Sequence, residues 1–530
     1  MNPLFKEHLD RAELLALPRV APDQSLTVAV HRNHSFELVA SVLPPFLDLS
    51  RLAAEFSYSS YDDSLSFHAL PAADLHIIWL DAARYSQSGF EAWLLSRIRV
   101  LRETAMENGR PCKVIAACCG VKEPEAPSLP DTLFLDCDRI TAPLGSGAMD
   151  SRLMPFSGTR LSNQSCLLLA RELGTRQIPA LFRPPLKAVV TDLDNTLYAG
   201  VLAEDGPEAL VPHTALQECL VGLGRRGFLL ALASKNEEED VRRLFDLRPD
   251  FPLRWEDFAA RAVGWRPKPE GLQAIAGDLR IGADTLLFMD DNPGERLQVS
   301  AALPEVRVLP ADGPEDMLAG LRHYPGLDRR AVSFEDTVRT ADTRANSERE
   351  RLRGELSAAD YFRELGMVLD LAVNPEKNGP RVYELLHKTN QFVLALLRPS
   401  QSGLAAYFSR PGRCVVSAAM RDRLSDSGLI AAGLFSSERN ALCLDELVIS
   451  CRALGRGVED GMIRAMVRLA GEYLDAGPEL AVAYAAGPRN RPALAWLEGL
   501  AGRPLTGRGA VILPALPPET LSGVAVNSQW

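Results

Sequence analysis

The segment 186–206 constrains this chain more than any other, because an apolar, β-branched run ends there abruptly in acids. Such a run is typical of a buried strand in a parallel sheet, which presents the next residues at its C-terminal edge. Asp192 and Asp194 follow the run, and a spacing of two in extended backbone points both carboxylates to the same side. With the Thr196 hydroxyl, they form a place where a phosphoryl group and a divalent cation can meet. The alternative is a simple turn or helix cap, where aspartate is also common.

Two later segments offer groups that bind phosphate. The apolar run 228–234 ends in Ser234, whose hydroxyl suits a phosphate oxygen, and Asn236 follows two residues later. Lys268 comes after a turn, where its ammonium group is placed to neutralise phosphate oxygens and a carboxylate nucleophile. A plain surface lysine is the alternative at that position.

The stretch 285–295 contains a third apolar run that ends in acids, Asp290 and Asp291. Carboxylate oxygens are the ligands that hard divalent cations prefer. The order acid pair, serine, lysine, acid pair therefore predicts a phosphotransfer-type site. We expect a magnesium ion held by Asp192, Asp194 and Asp290, with Asp291 in a secondary role.

The spacing of these segments predicts an open site. Between Gly206 and the helical stretch near 215, and again between Ser234 and Lys268, the chain has no room for an inserted cap domain of ordinary size. A free metabolite usually needs a lid that excludes water, whereas an open site admits a group presented by a macromolecule.

Composition sets the outer limits of the prediction. A chain of 530 residues is too long for one core and predicts two to four domains. The net charge of −11, without a strong Lys/Arg cluster, argues against nucleic-acid binding. The sequence has no run of membrane-spanning length and no apolar core of a signal peptide near the N-terminus. The nine cysteines lack zinc-ligand spacing, so we expect reduced thiols in a cytoplasmic protein.

The strand and helix patterns predict an α/β protein of three domains. The first is a parallel, doubly wound sheet, the second holds the acids, and the third is α+β with a helix at 458–475. A charged, helix-favouring stretch connects the second domain to the third. The predicted boundaries are 1–183, 184–325, 326–356 for the connecting helix, and 357–530.

His31, His34 and Ser35 follow the first predicted strand, where hydrolases of the SGNH kind place a catalytic serine. The Gly-Asp-Ser of those enzymes is replaced here by His-Arg-Asn-His-Ser. We therefore expect an SGNH-like domain that docks partners or acts as a scaffold, with a hydrolase as the alternative.

The turn 451–457, between a predicted strand and helix of the third domain, contains the pattern RxxGxG. It resembles the pyrophosphate-binding loop of GNAT acyltransferases, where backbone N–H groups and a helix N-terminus receive phosphates. A tight strand-to-helix turn is the alternative. In a protein that meets a phosphopantetheine arm, this loop would receive the phosphate of the arm.

Four stretches together resemble the FkbH-like family of polyketide biosynthesis, which is subfamily IIIC of the haloacid dehalogenase (HAD) superfamily. The resemblance covers about residues 25–480 and implies that Asp192 is the nucleophile or primary metal ligand and Asp194 the general acid/base. Family members take the glyceryl group of 1,3-bisphosphoglycerate, release phosphate, and load glycerate as a thioester onto an acyl carrier protein. The stretches are 149–161, 192–206, 385–392 and 449–459.

The chain departs from the family pattern at positions that bear on the acyl substrate. The family's Trp-Gly-Gly is replaced at 198–200, and the motif that contains Asn390 continues with Val393 instead of asparagine. Some members have cysteine between the two motif aspartates, but Leu193 stands there, which excludes an acyl-enzyme at that position. Cys451 is the replacement thiol to consider, with a buried structural cysteine as the alternative.

The sequence therefore predicts a cytoplasmic, Mg²⁺-dependent enzyme that transfers a glyceryl or similar short acyl group from an acyl phosphate to an acyl carrier protein. Because carrier proteins are typically acidic, docking requires a local basic patch, for which Arg452 and Arg456 are the candidates. We expect no nucleic-acid or membrane partner. Two alternatives are a plain HAD-type phosphatase and a non-catalytic scaffold for carrier proteins.

Overall fold

The computed structural model divides the chain into two compact units. Unit 1 comprises Met1–Leu220, Ala233–Leu253 and Asp284–Arg330, and unit 2 comprises Val221–Leu232, Arg254–Ala283 and Ala331–Trp530. The predicted boundaries at 183, 325 and 356 stay a prediction. The structure describes residues 2–529 except 68–69, 86–88, 108–111, 121–128, 130, 153, 329–344, 346–348, 350–351, 355, 390, 439, 451–452, 488–489, 515 and 517–520.

A five-stranded parallel sheet forms the first part of unit 1, as far as the described residues show. Its strand order is β2-β1-β3-β4-β5, and the fully buried β3 contrasts with the exposed edge strand β2. The parallel α/β architecture predicted for this part is confirmed, although the sequence pattern missed β2. The strands are β1 (Gln24–Arg32), β2 (Leu52–Tyr61), β3 (Leu75–Asp81), β4 (Val114–Cys119) and β5 (Thr132–Asp136).

Helices cover this sheet because their apolar faces pack on the β-branched strands. Leu94, Ile98 and Leu101 of the longest helix lie in one core cluster with Ile78 of β3 and Val114 of β4. The helices are Arg11–Leu15, Glu37–Ala40, Pro44–Asp48, Phe90–Glu107, Cys137–Thr141, Met154–Ser157, Asn163–Glu172 and Ile178–Phe182.

The N-terminal helix is shorter than predicted. The sequence pattern indicates one amphipathic helix over residues 5–18, but the structure has a 3₁₀ turn at Pro3–Phe5 and a helix at Arg11–Leu15. The side chain of Asp10 accepts a hydrogen bond from the Glu13 amide and starts the second helix, so the apolar pattern is split by a cap.

A second sheet, between residues 188 and 308, carries the acidic segments. Its strand order is β10-β9-β6-β11-β12, and β11 pairs in parallel with both β6 and β12. The strands of this part, with the two short strands β7 and β8 that pair with each other, are β6 (Ala188–Thr191), β7 (Tyr198–Ala199), β8 (Val211–Pro212), β9 (Leu229–Ser234), β10 (Phe258–Val263), β11 (Leu286–Met289) and β12 (Arg307–Val308).

The predicted lack of a cap domain agrees with the elements of this part. All residues from 154 to 328 are described, and the chain between β6 and β9 contains the β7–β8 pair and two helices, without an inserted domain. The helices of this part are Leu202–Asp205, Thr214–Arg225, Glu238–Leu247, Lys268–Asp278, Pro293–Ala302 and Pro314–His323.

A third, mixed sheet lies in unit 2. In the described residues its strand order is β19-β18-β17-β16-β15-β13-β20, with β14 paired to β17. The apolar runs 367–373, 414–420, 429–435 and 442–450 predict strands, and strands are present at all four. Most of the predicted connecting helix at 326–356 falls outside the described residues. The strands are β13 (Val368–Val373), β14 (Phe392–Val393), β15 (Arg413–Arg421), β16 (Asp426–Glu438), β17 (Ala441–Ile449), β18 (Leu480–Ala485), β19 (Arg508–Leu513) and β20 (Ala525–Gln529).

The helices of this third part pack on both faces of its sheet, because the neighbouring residues Val415 and Val416 of β15 lie in two different core clusters. Met462, Ile463 and Met466 of the longest helix share a core cluster with Ile430 of β16 and Leu444 of β17. The helices are Ala358–Leu365, Gly379–Lys388, Gln401–Ser409, Glu459–Leu474 and Arg491–Ala501.

No helix among the described residues combines the length and the apolar character that crossing a lipid bilayer requires.

Buried histidines make the stability of the first sheet depend on pH. Burial lowers the pKa of His31, His34 and His76 to about 4. The unfolded chain takes up protons near pH 6.5, whereas the folded chain resists them until about pH 4. The free energy of unfolding should therefore fall as the pH drops from 6.5 towards 4, by about 2 kcal/mol per histidine between pH 7 and 5.

Urea unfolding at pH 7 and pH 5 measures this loss. His34→Gln should reduce the difference between the free energies of unfolding at the two pH values. The control His8→Gln, at an exposed position, should leave this difference as in the wild type. If the free energy of unfolding depended on pH equally in the wild type and in His34→Gln, the lowered pKa of His34 would be contradicted.

Candidate active site

Three carboxylates converge at the C-terminal edge of the second sheet. β6 and β11 are adjacent and parallel, with Thr191 beside Met289, and the Asp192 amide donates to the Met289 carbonyl at 3.0 Å. One carboxylate oxygen each from Asp192, Asp290 and Asp291 lies within 4.8 Å of the others. The two acidic segments predicted to meet at a sheet edge therefore do so.

The chemistry of this cluster fits a hard divalent cation. Two like charges no more than 4.8 Å apart repel by at least about 3.5 kcal/mol at the effective dielectric constant near a protein surface. Asp290 is almost completely buried, so solvent screens it poorly. A cation with oxygen ligands, such as Mg²⁺, removes this repulsion and suits an all-carboxylate donor set. Asp291 is thus one of the converging groups, beyond the secondary role expected of it.

Asp194 stands apart from the metal-binding group. Its Oδ1 accepts hydrogen bonds from the Tyr198 hydroxyl at 2.7 Å and the Leu202 amide at 2.9 Å. Its Oδ2 accepts from Asn236 Nδ2 at 2.8 Å. Within the described residues, the side chain of Asp194 is absent from the converging carboxylates, which differs from its expected role as a side-chain metal ligand. Three donors instead fix the orientation of this carboxylate.

Tyr198 is a site residue that the sequence interpretation did not include. Its ring is buried, and burial together with the nearby Asp194 raises the pKa of the phenol far above its usual value. The hydroxyl therefore stays protonated and acts as a permanent donor to Asp194. The signal in the sequence is the position of Tyr198 four residues after Asp194, within one tight turn.

The turn that brings Tyr198 back to Asp194 depends on Gly200. Gly200 has φ of 114°, and a Cβ there would lie 2.8 Å from a Leu210 methyl group and 3.0 Å from Asp205 Oδ2. Any other residue would meet both strain and collision. Asn195 supports the turn, since its Oδ1 accepts from the Gly200 amide at 3.2 Å.

Thr196 holds the second acidic segment in place. Its hydroxyl is fully buried, donates to Asp291 Oδ1 at 3.3 Å and accepts from the Asp291 amide at 3.1 Å. Both hydrogen bonds tie Thr196 to the second acidic segment, and direct contact of its hydroxyl with phosphate stays a prediction. Thr196 is therefore a positioning residue for Asp291.

The predicted phosphate-binding groups on β9 join the same network. Ser234 and Asn236 are buried, and Asn236 Nδ2 lies 3.1 Å from Ser234 Oγ as well as 2.8 Å from Asp194 Oδ2. Asn236 thus links the end of β9 to Asp194. Direct binding of phosphate by Ser234 and Asn236 stays a prediction.

Lys268 is buried at the first position of its helix, which excludes the surface-lysine alternative. A helix N-terminus is an unfavourable place for a cation because the macrodipole is positive there. Sequences accept such local conflicts mainly at functional sites. Its predicted contact with a phosphate group stays a prediction.

Within the described part of the first sheet, Ser35 is paired with a carboxylate and with no histidine. Ser35 Oγ donates to Glu37 Oε2 at 2.6 Å, and His34 Nδ1 lies 2.9 Å from Thr159 Oγ1. His31 Nε2 contacts His76 Nδ1 at 3.1 Å. A nucleophile needs a histidine base within hydrogen-bond reach, and Ser35 is bound to a carboxylate instead.

The RxxGxG loop in unit 2 is engaged with its own chain. The Gly455 amide donates to the Glu459 carboxylate, Arg353 donates to the Gly455 carbonyl, and Arg280 Nη1 donates to the Leu454 carbonyl at 2.7 Å. The Gly455 amide, which the prediction needs as a hydrogen-bond donor to phosphate, thus already donates to a carboxylate. The predicted candidates Asn390, Cys451 and Arg452 lie outside the described residues.

Arg456 is wrong as a docking residue. Its side chain is 1% exposed and pairs with the fully buried Asp422 at 3.6 Å, next to the Arg349–Asp422 pair. A guanidinium buried beside Asp422 in this way cannot meet an acidic partner at the surface.

Comparisons with known proteins find similar solved structures but assign no family. No family model matches the chain, and no curated protein matches it. The N-terminal part of protein BF1531 from Bacteroides fragilis, which contains a phosphatase domain complexed with Mg, is 22% identical over 58% of this chain and 96% of that chain, with a TM-score of 0.44.

A second solved structure, malonyl-CoA decarboxylase from Rhodopseudomonas palustris, is 11% identical over 55% of this chain and 65% of that chain, with a TM-score of 0.21. A GCN5-related glucosamine N-acetyltransferase region of a fungal multi-domain protein is 12% identical over 90% of this chain and 62% of that chain, with a TM-score of 0.17. Such low TM-scores establish no shared fold, so the chemistry of the site rests on its own residues.

Asp290→Asn should weaken cation binding and relieve repulsion at once. Outer-shell changes alone typically alter metal affinity 10–100-fold, so losing a carboxylate of the cluster should raise the dissociation constant for Mg²⁺ at least about tenfold. Calorimetric titration with Mg²⁺ measures it. Without metal the variant should melt at or above the wild-type temperature, and the exposed Glu305→Gln should change neither value. Unchanged Mg²⁺ affinity would place the cation elsewhere.

Tyr198→Phe should slow turnover without affecting Mg²⁺ binding. Loss of one hydrogen bond that orients Asp194 is worth about 1 kcal/mol, or roughly a fivefold fall in the rate of phosphate release from a small phosphate ester. Tyr324→Phe removes another buried hydroxyl, which donates to the Val308 carbonyl at 3.3 Å, and is the matched control. Equal activity in both variants would show that Tyr198 has only a structural role.

Proposed function

We propose that this protein is a Mg²⁺-dependent, HAD-type enzyme that acts on an acyl phosphate and transfers its short acyl group, such as glyceryl, to an acyl carrier protein. The observation that carries the proposal is the convergence of Asp192, Asp290 and Asp291 next to the separately oriented Asp194. The motif resemblance to the FkbH-like family supports the substrate class and the assignment of the outer domains as SGNH-like and GNAT-like.

The two kinds of acid suit two tasks. Asp192, Asp290 and Asp291 would hold Mg²⁺, which when bound neutralises phosphate oxygens. Asp194 is held outside that group by Tyr198 and Asn236, at a fixed orientation for proton transfer. Environments that separate the roles of neighbouring carboxylates are a common feature of acid–base catalysis.

The transfer itself conserves atoms and electrons without an additional reagent. The carrier thiol attacks the carbonyl carbon, so a carbon–sulfur bond forms and the bond between that carbon and the phosphate oxygen breaks. The electron pair of the broken bond leaves with inorganic phosphate, and the thiol proton is accepted by Asp194 or by the departing phosphate. The hydrogen-bond donors and charges are already fixed around the site, and this lowers the activation free energy for orienting these groups.

The open site supports a macromolecular acceptor. The described chain between β6 and β9 has no inserted cap, so water reaches the activated acyl group unless protein contacts bring the thiol promptly. A carrier protein supplies such contacts. Its docking site is not at Arg456, and Arg452 stays a prediction.

A plain phosphatase is the second candidate function. Asp192 and Asp194 retain the spacing at which the first attacks phosphorus and the second handles the proton, and water would then release the phosphoryl group. That reaction needs no carrier protein. The scaffold alternative fits less well because nothing in a scaffold requires clustered carboxylates that repel one another.

Intact-protein mass spectrometry of a phosphopantetheinylated carrier protein, incubated with enzyme, Mg²⁺ and candidate acyl phosphates, tests the proposal. We expect the mass of one acyl group on the carrier, faster than in a reaction without enzyme. Asp192→Asn should lower the rate at least about 100-fold while the fold persists, since an edge charge is removed and no core volume is lost.

Each alternative has its own result. Phosphate release without acylation of the carrier would establish the phosphatase. If Asp192→Asn formed both products as fast as the wild type, the assignment of the active site would be wrong. Efficient acylation of free pantetheine would show that protein docking is dispensable. Absence of both phosphate release and acylation would favour the scaffold.

A further inference from the structure

An ion pair between Lys235 and Glu295 crosses the sheet edge at which the aspartates converge. Lys235 directly follows β9, and Glu295 lies in the first turn of the helix that follows β11. In the strand order of this sheet, β6 lies between β9 and β11. Neighbouring strands are about 4.8 Å apart, so the two side chains together bridge about 10 Å across the end of β6. That end is the one from which Asp192 follows. Lys235, Glu295 and the aspartates all belong to unit 1.

The residues on either side of Lys235 belong to the network of the active site. Asn236 Nδ2 donates to Asp194 Oδ2 at 2.8 Å and lies 3.1 Å from Ser234 Oγ. Ser234 and Asn236 are buried, whereas the side chain of Lys235 is 40% exposed. The chain at 234–236 is therefore fixed at the same edge as Asp194, and a ligand that enters from solvent can reach the ammonium group.

The segment that carries Glu295 is tied to the acidic cluster. Arg296 Nη1 donates to the backbone carbonyls of Asp290 and Asp291, at 2.7 and 2.9 Å. The start of this helix is therefore fixed relative to the two aspartates that precede it. A negative charge in the first turn is also favoured by the helix dipole, so Glu295 is a stable anion for Lys235 to pair with.

The pair leaves hydrogen-bonding capacity on both of its partners. A lysine ammonium has three N–H donors, and Glu295 Oε1 accepts one of those of Lys235. Glu295 Oε2 is buried and has no hydrogen-bond partner among the described residues. An ion pair that serves stability alone is expected to satisfy a buried carboxylate oxygen. These two groups therefore leave room for a ligand that offers both acceptors and a donor.

Glu295 also keeps the ammonium group out of the metal-binding cluster. The converging carboxylates are those of Asp192, Asp290 and Asp291, and Glu295 is outside that group. An ammonium paired with one of the three aspartates would compete with a divalent cation for the same charge. Because Lys235 pairs with Glu295 instead, a cation in the cluster and the lysine can act on one phosphate group together.

We propose that Lys235 is a phosphate-binding residue of the active site and that Glu295 is the positioning residue that holds its ammonium group. The inference rests on the proposed function and deepens it, because it names a protein group that recognises the phosphate of the substrate. The two N–H donors not used by Glu295 bind phosphate oxygens at the end of β6. Hydrogen bonds between an ammonium and an anion are about twice as strong as neutral ones, so the site selects substrates by their phosphate charge.

Calorimetric titration of the full chain with inorganic phosphate, at saturating Mg²⁺, tests the proposal. Lys235→Met keeps the length of the side chain and removes its charge, so it should raise the dissociation constant for phosphate at least about tenfold. Lys6→Met is the matched control, because Lys6 is 33% exposed and pairs with Glu13 at 2.6 Å. It should leave the dissociation constant unchanged. Lys235→Met should bind Mg²⁺ at least as tightly as the wild type, which shows that unit 1 is folded.

Glu295→Gln distinguishes phosphate binding from a purely stabilising ion pair. The amide oxygen of glutamine still accepts from Lys235, while a negative charge near the phosphate is lost. This variant should therefore bind phosphate at least as tightly as the wild type, in contrast to Lys235→Met. If the pair only stabilised the fold, both variants would lower the melting temperature and neither would change the affinity for phosphate.

The outcomes separate this inference from the proposed transfer reaction. Equal phosphate affinity in the wild type and Lys235→Met, an equal loss in Lys6→Met, or no phosphate binding by the Mg²⁺-saturated wild type would overturn the inference. If the carrier protein were acylated and Lys235→Met still bound phosphate normally, the inference alone would be wrong. If the carrier stayed unmodified while Lys235→Met lost phosphate affinity, the transferase would be refuted and the role of Lys235 would hold for the phosphatase.

Discussion

Mutual repulsion among Asp192, Asp290 and Asp291 is the constraint around which the second sheet is arranged. Carboxylate oxygens within 4.8 Å of one another are held together by elements that resist separation. The strands β6 and β11 are buried and paired in register, the Asp192 amide is bound to the Met289 carbonyl, and Thr196 fastens the second acidic segment. The packing of the apolar strands therefore stabilises an arrangement of charges that would separate in a freely flexible chain.

The same sheet edge gives Asp194 a different environment although it lies two residues from Asp192. The tight turn at Gly200 brings Tyr198 back to donate a hydrogen bond, and Asn236 donates from the end of β9. A spacing of two in extended backbone predicts that both carboxylates share one task. The strand ends at Thr191, however, so the pattern of alternation no longer governs Asp194. Its donors then set its direction.

Much of the fold and the meeting of the acidic segments could be predicted from the sequence, because long apolar runs that end in acids leave few alternatives. The edge strand β2 could not be found from a continuous apolar run, because its half-buried Phe56 alternates with the exposed Glu55 and Ser57. Tyr198 was missed for a related reason. Its role depends on a reversal of the chain at Gly200, which brings together side chains whose spacing fits no regular strand or helix.

The RxxGxG loop shows why a motif does not fix the role of its residues. The pattern specifies glycines at the turn, and Gly455 and Gly457 do have positive φ. It leaves open what the turn's amides bind, and Glu459 supplies a carboxylate from the next helix to Gly455. The arginine of the same turn, Arg456, lies beside Asp422, so its charge is used inside the fold. A phosphate would have to displace an internal anion, and the spacing of the motif alone carries no information about that competition.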